Sequence, residues 1–181
     1  MENFLRNIKL IDDFTTEMNI SKSEFISRLK RQVDESSLGV FSDFGDVFSS
    51  SKNEYKGVVN YDGFKFKRKR RFFDTKMNVA TVSGNYRQVS DTLIIESQIT
   101  GFTGIIMFFF IFAMLIYTVF IMTFIFGTAG GDKPFYMIPF IALHALLMFG
   151  IPYFIIRRSV KRFKYDLERE FHYIASKPLN S

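Results

Sequence analysis

The sequence predicts an α+β membrane protein: a two-helix transmembrane hairpin plus a small cytosolic domain of N-terminal helices, an antiparallel four-stranded β meander and a C-terminal amphipathic helix. Three observations predict it. Phe102 to Phe126 and Phe135 to Ile156 each lack Asp, Glu, Lys and Arg, and at about 1.5 Å rise per residue a helix of either length spans the ~30 Å hydrocarbon layer. Asp62-Gly63 lies between Tyr55 to Tyr61 and Phe64 to Phe73, with apolar and basic residues alternating after it, the pattern of a β-hairpin. Val160, Phe163, Leu167, Phe171 and Ile174 recur at three- and four-residue steps, which gives one apolar helical seam. The chain divides accordingly into N-terminal amphipathic helices (1–35), a Ser/Gly/Phe linker (36–54), a β domain (55–100), the transmembrane hairpin (101–157) and a C-terminal cytosolic helix (158–181).

In chain order, Phe4, Leu5, Ile8, Ile11, Phe14 and Met18 fall on helical spacing and predict a first amphipathic helix over Glu2 to Met18. Ser21-Lys22-Ser23-Glu24 matches a capping box, with Ile20 able to staple onto Phe25, and starts a helix over Lys22 to Asp34. The linker carries apolar anchors at Leu38, Phe41, Phe44, Val47 and Phe48. A two-residue Asp62-Gly63 turn of type I′ pairs Tyr61 with Phe64 and Val59 with Phe66, leaving Lys65, Lys67 and Lys69 on the opposite face. Asp74 to Lys76 turns the chain. Met77 to Val89 forms a third strand broken or bulged near Gly84, and Ser90-Asp91 leads into a fourth over Thr92 to Ile99. Thr100-Gly101 joins that strand to the first span almost directly, which brings the sheet close to the inner leaflet. Gly127 to Pro134 is the turn between spans, Gly150 and Pro152 bend the second, and Lys177-Pro178 ends the last helix.

Basic residues orient the hairpin. The turn carries only Lys133, whereas Arg157, Arg158, Lys161, Arg162 and Lys164 follow the second span. Translocating Lys and Arg is disfavoured, so both termini are expected in the cytoplasm and the protein in the cytoplasmic (inner) membrane. A cleaved signal peptide is not expected, since Glu2, Arg6 and Lys9 interrupt the first ten residues. The 48% hydrophobic content is ordinary for a soluble chain only because the apolar residues are concentrated in the two spans. No Cys occurs, which removes disulfides, thiolate nucleophiles and cysteine metal sites together.

Function classes narrow by inventory. A bilayer metalloprotease needs two histidines at helical spacing with a glutamate, and the chain has only His144 and His172, on different segments. Ser and Asp are missing from both spans, which removes the other intramembrane proteases. Two helices without an acid or base pair are too few for a transporter. No enzyme activity and no cofactor are therefore expected. All of Lys65 to Arg71 except Phe66 is basic, and Lys65, Lys67, Lys69, Arg71, Arg157, Arg158 and Lys161 form the candidate contact to anionic lipid headgroups. A solvated face that guards a sheet edge is the competing reading. Nucleic acid is disfavoured, because Phe64 and Phe66 face the core instead of serving as stacking platforms. His144 lies near mid-span at the depth of Leu115, where Tyr117 and Thr118 offer an interhelical hydrogen bond.

The run Tyr55-x-Gly57-x-Val59, then Phe64-x-Phe66-x-Arg68, leading through Gly84 and Leu93 to two spans, resembles a loose group of small bacterial membrane proteins of uncharacterised function. The resemblance covers Tyr55 to Ile156. It implies a two-span topology with a cytosolic antiparallel β domain and supplies no catalytic residue. The combined expectation is a membrane-anchored scaffold that presents a basic, membrane-apposed β domain to a protein partner or to a second copy; the alternative is a lipid-headgroup sensor or regulator.

Overall fold

A computed structural model of the chain describes residues 2–38, 53–69, 79–126 and 137–176. Most of the linker, Arg71, the Asp74–Lys76 turn, Met77, the Gly127–Pro134 connection and the Lys177–Pro178 stop lie outside the described residues. The elements are α1 (Glu2–Asn7), β1 (Ile11–Met18), α2 (Lys22–Lys30), β2 (Val33–Glu35), β3 (Tyr55–Val59), β4 (Gly63–Arg68), β5 (Thr81–Val89), β6 (Thr92–Thr100), α3 (Gly104–Phe126) and α4 (Met137–Ser176). They form two compact units, Met1–Thr103 with Ile156–Ser181, and Gly104–Ile155.

In the first unit the expected four-stranded meander is a six-stranded mixed sheet of order β1-β6-β5-β4-β3-β2. β2 pairs parallel to β3, and the other neighbours are antiparallel. The two added strands come from segments whose apolar spacing predicts helix. α1 stops early in a Schellman motif: the Leu10 N–H donates to the Leu5 carbonyl (2.9 Å) and the Lys9 N–H to the Arg6 carbonyl (2.9 Å). That cap needs positive φ, here 60° at Lys9, a position glycine usually marks. Beyond it, Phe14, Thr16 and Met18 are buried while Asp13, Thr15 and Glu17 are exposed, a period of two. Ile11, Phe14 and Met18 also fit a helical face, and strand pairing with β6 decides between them. α2 begins as expected, with the Ser21 hydroxyl accepting from the Glu24 N–H (3.3 Å). It ends at Lys30 and leaves Val33 to pair with Tyr55 at the sheet edge.

The β3–β4 register differs from the expected one by two residues: Val59 faces Phe64 and Gly57 faces Phe66. Gly57 (φ 154°) fixes this, because a Cβ there would lie 2.2 Å from the Lys65 carbonyl oxygen and 2.5 Å from the Phe66 Cα. The turn widens, with the Asn60 N–H donating to the Gly63 carbonyl (2.8 Å), and neither Asp62 nor Gly63 takes positive φ. A two-residue shift preserves the faces, so Phe64 and Phe66 stay buried, whereas Tyr61 is 64% exposed beneath the Lys22 ammonium. β5 is not bulged, since its pairing to β4 and β6 runs through Gly84 without interruption. A Cβ at Gly84 would lie 2.5 Å from the Phe64 ring, so the glycine provides room for that ring.

One face of the sheet is covered by α2 and by the last half of α4. Phe25, Ile26 and Leu29 from α2, with Val160, Phe163, Leu167, Phe171 and Ile174 from α4, join the sheet residues in one core. Phe171 sits at its centre, with ring centroids 6.2 Å from Phe14, 5.6 Å from Phe25 and 5.8 Å from Phe64. The Arg28 guanidinium ties the two helices by donating to the Ile174 carbonyl (2.6 Å) near the end of α4. The α4 seam is therefore occupied inside the domain and is not a free surface for a partner.

In the second unit, α3 and the first part of α4 are each long and apolar enough to cross a membrane. Their contacts run in opposite sequence order, Phe110 stacking on Phe149 (5.8 Å) and Tyr117 lying against Phe149 and His144 (5.6 and 5.9 Å). α4 continues through Pro152 to Ser176 as one helix; the second apolar stretch and the C-terminal amphipathic helix are not separate elements.

Replacing Phe171 by Ala should destabilise the sheet domain by about 3–5 kcal/mol, the usual range for a buried Phe. Replacing the exposed Tyr173 by Ala should change it by less than ~0.5 kcal/mol. Denaturant unfolding in detergent, followed by far-UV circular dichroism, separates the two. Gly57→Ala should unfold earlier than wild type in the same assay, because its Cβ has no space.

Candidate functional site

The basic run from Lys65 was expected to form a comb of like-charged side chains, and the sheet breaks it up. Lys65 is exposed and Lys67 half-buried. Arg68 pairs with Glu54 (3.1 Å) and with Asp166 of α4 (3.5 Å). Lys69 is only 7% exposed, and its ammonium is bonded to the Asp34 carboxylate. Its N–H donates to the Glu54 carbonyl (2.8 Å), which holds the end of the strand. Asp34 also accepts from the Asn53 amide (2.6 Å) and stands opposite Lys56, itself 1% exposed. Lys69, expected among the lipid contacts, is thus buried in the sheet domain and paired with Asp34. The reason is β2: read as the end of a helix, Asp34 had no route to strand β4.

The second basic group lies where α4 leaves its apolar stretch. Arg157, Arg158 and Lys161 are exposed, while Ile156, Ser159, Val160 and Phe163 between them are buried. The Ser159 hydroxyl accepts from the Val79 N–H (3.1 Å). The helical period thus separates a positive stripe from the core seam. Lys164, further along, is turned back to Asp12 (3.0 Å) and to the Asp13 carbonyl (3.2 Å).

The uncovered face of the sheet is polar and of mixed charge. A depression of about 540 Å³ over Gly63 and Gly84 is rimmed by Arg6, Asp13, Glu96 and Gln98. Several of its polar groups pair: Arg6 with Asp13, the Gln98 amide donating to Asp13 (3.2 Å), and Glu96 with the neighbouring Arg87 (3.3 Å), whereas the buried Ser97 hydroxyl has no partner among the described residues. This is a surface of ion pairs and hydrogen bonds. The alternation Asp13-x-Thr15-x-Glu17 was the available signal for it. Burial pushes the Tyr55 hydroxyl up, helped by the nearby Glu170 carboxylate, and burial alone pushes Tyr86 up, so both stay neutral at physiological pH.

In the apolar unit, the Tyr117 hydroxyl and the His144 Nδ1 are hydrogen-bonded to each other. Thr118 does not join them; its hydroxyl donates to the Met114 carbonyl of its own helix (2.9 Å), the usual way a helical Thr satisfies itself.

Lys69→Gln should lower stability by about 1–3 kcal/mol, since it removes the ammonium bonded to the Asp34 carboxylate, whereas Lys65→Gln should leave stability within ~0.5 kcal/mol. Thermal unfolding of the two variants side by side checks the assignment. No protein-family model matches the chain, and neither a curated protein nor a solved structure does, so the functional reading rests on this geometry.

Proposed function

We propose that the protein is a membrane-anchored scaffold or accessory protein, with α3 and the first part of α4 forming a transmembrane hairpin and the sheet domain presented to partner proteins on the cytoplasmic side. One observation carries the reading. Gly101, just before α3, packs against Ile156 and Val160 of α4 so closely that a Cβ on Gly101 would lie 2.5 and 2.6 Å from their methyl groups. The apolar segment thus departs from and returns to one point of the same domain. A segment with joined ends crosses a bilayer an even number of times, and two helices long enough to span then cross once each. α1 and the end of α4 both belong to the sheet domain, and on this reading they stay on its side. The exposed Arg157, Arg158 and Lys161 argue that this side is the cytoplasm.

The scaffold reading assigns partner binding to the uncovered sheet face, because α2 and the α4 seam occupy the other. The second reading, recognition of an anionic headgroup, is favoured by the positive stripe Arg158 and Lys161 at the end of the apolar stretch, each worth about 1 kcal/mol near an anionic surface.

The chain has no cysteine, so single-cysteine variants report topology cleanly. A membrane-impermeant maleimide applied to intact cells should label Thr128→Cys and should label Asp91→Cys only after permeabilisation. Equal labelling of both positions from outside would end the hairpin proposal. To separate scaffold from headgroup sensor, the full chain is placed in nanodiscs of neutral lipid with or without phosphatidylglycerol. If headgroup binding is the function, hydrogen exchange around Lys65 and Lys161 slows with phosphatidylglycerol, and high salt or the combined Lys65→Glu, Arg158→Glu and Lys161→Glu changes abolish the slowing. A scaffold shows the same exchange in both lipids.

A further inference from the structure

We propose that the hairpin self-associates in the bilayer, and that His144 is the contact between two copies of the chain. The inference rests on the transmembrane reading of α3 and α4. His144 is exposed on α4 within the helix pair, and Tyr117, on its inner side, is half-buried. Among the described residues the imidazole's hydrogen-bond partner is the Tyr117 hydroxyl, which occupies Nδ1. The residue is exposed, and its Nε2 has no hydrogen-bond partner among the described residues. In hydrocarbon that nitrogen meets no water, and an unmatched polar group there is unfavourable.

The chemistry of the pair selects the occupant. A tyrosine hydroxyl both donates and accepts, and a neutral imidazole carries its proton on either nitrogen. In one copy Tyr117 donates to Nδ1 and Nε2 carries a hydrogen. In its partner Nδ1 carries the hydrogen and donates to the Tyr117 oxygen, leaving Nε2 as an acceptor. Placed against each other, the two copies form one continuous chain of hydrogen bonds, tyrosine to histidine to histidine to tyrosine, with both Nε2 atoms matched and no net charge. A second copy thus supplies the partner for Nε2 from groups the hairpin already holds. The surrounding surface suits a helix contact: Phe140, Leu147 and Ile151 share the His144 stripe by helical period and are 70%, 46% and 52% exposed.

The test uses the full-length protein in nanodiscs or native membranes. Under mild oxidation Leu147→Cys, on the stripe, should give a disulfide-linked product of twice the 21.2 kDa chain mass, and Leu146→Cys, about 100° around the helix, should not. Adding His144→Phe should weaken self-association about tenfold, the scale of an interhelical hydrogen bond. His144→Gln, which keeps a donor and an acceptor, should restore most of it. Equal linking from both positions, linking unaffected by His144→Phe, or a product of any other mass would overturn the proposal. Resistance to alkaline carbonate extraction is measured on the same samples. If the wild-type chain is extracted, the transmembrane reading fails; if it stays in the membrane without linking, only the self-association proposal fails.

Discussion

The contact between Gly101 and the pair Ile156 and Val160 is the constraint on which the rest depends. It closes a loop of more than fifty residues, and closing a loop of that length has an entropic cost that rises slowly with length, as the logarithm of residue number. Burial further along the chain offsets that cost. Val160 begins a seam that ends at Ile174, and every residue of that seam is at most 2% exposed. Burying five large side chains at about 1.5–3 kcal/mol each outweighs a closure term of a few kcal/mol. Phe14 and Phe64 of the sheet pack on Phe171, which is carried by a helix that arrives after the apolar excursion.

What could be read from the residues depends on the range of the interaction behind each feature. The two apolar stretches are visible because charge exclusion is a property of consecutive residues, and the α4 seam because its period is local. The N-cap at Ser21 is local too. β1 was hidden because a lysine, not a glycine, holds the left-handed cap at residue 9, and because Ile11, Phe14 and Met18 satisfy a helical face and a strand face alike. Its pairing with β6 spans most of the domain in sequence, beyond any window. The three-residue β2 is shorter than any pattern can show. The β3–β4 register was misread for a different reason: Asp62-Gly63 is a strong local turn signal, and close approach of the Gly57 backbone to Phe66 overrode it.

The candidate site shows the same division. That the chain is basic around residue 65 is composition. Which cations remain available is tertiary structure, because Asp34, Glu54 and Asp166 reach Lys69 and Arg68 from a short strand, a loop and a helix. Counting lysines therefore overstated the positive surface of β4. The stripe at Arg158 and Lys161 survives because its neighbours Ile156, Val160 and Phe163 are core residues, so the helix must turn its charges outward. The Tyr117–His144 pair was accessible from antiparallel counting alone, since depth within a hairpin is set by distance to the turn.

An inserted hairpin differs physically from an anchor appended to a finished domain. An appended anchor can be removed with the domain left whole. Here the segment that completes the core lies after the second apolar helix, so on the proposed topology both crossings precede closure of the sheet domain. Until then β1 to β6 present Phe14, Phe64, Phe66 and Ile95 to solvent, the kind of exposed apolar surface that aggregates. On the proposed topology, membrane insertion and closure of the sheet domain are linked through one chain segment, since Val160 to Ile174 follow the second apolar stretch.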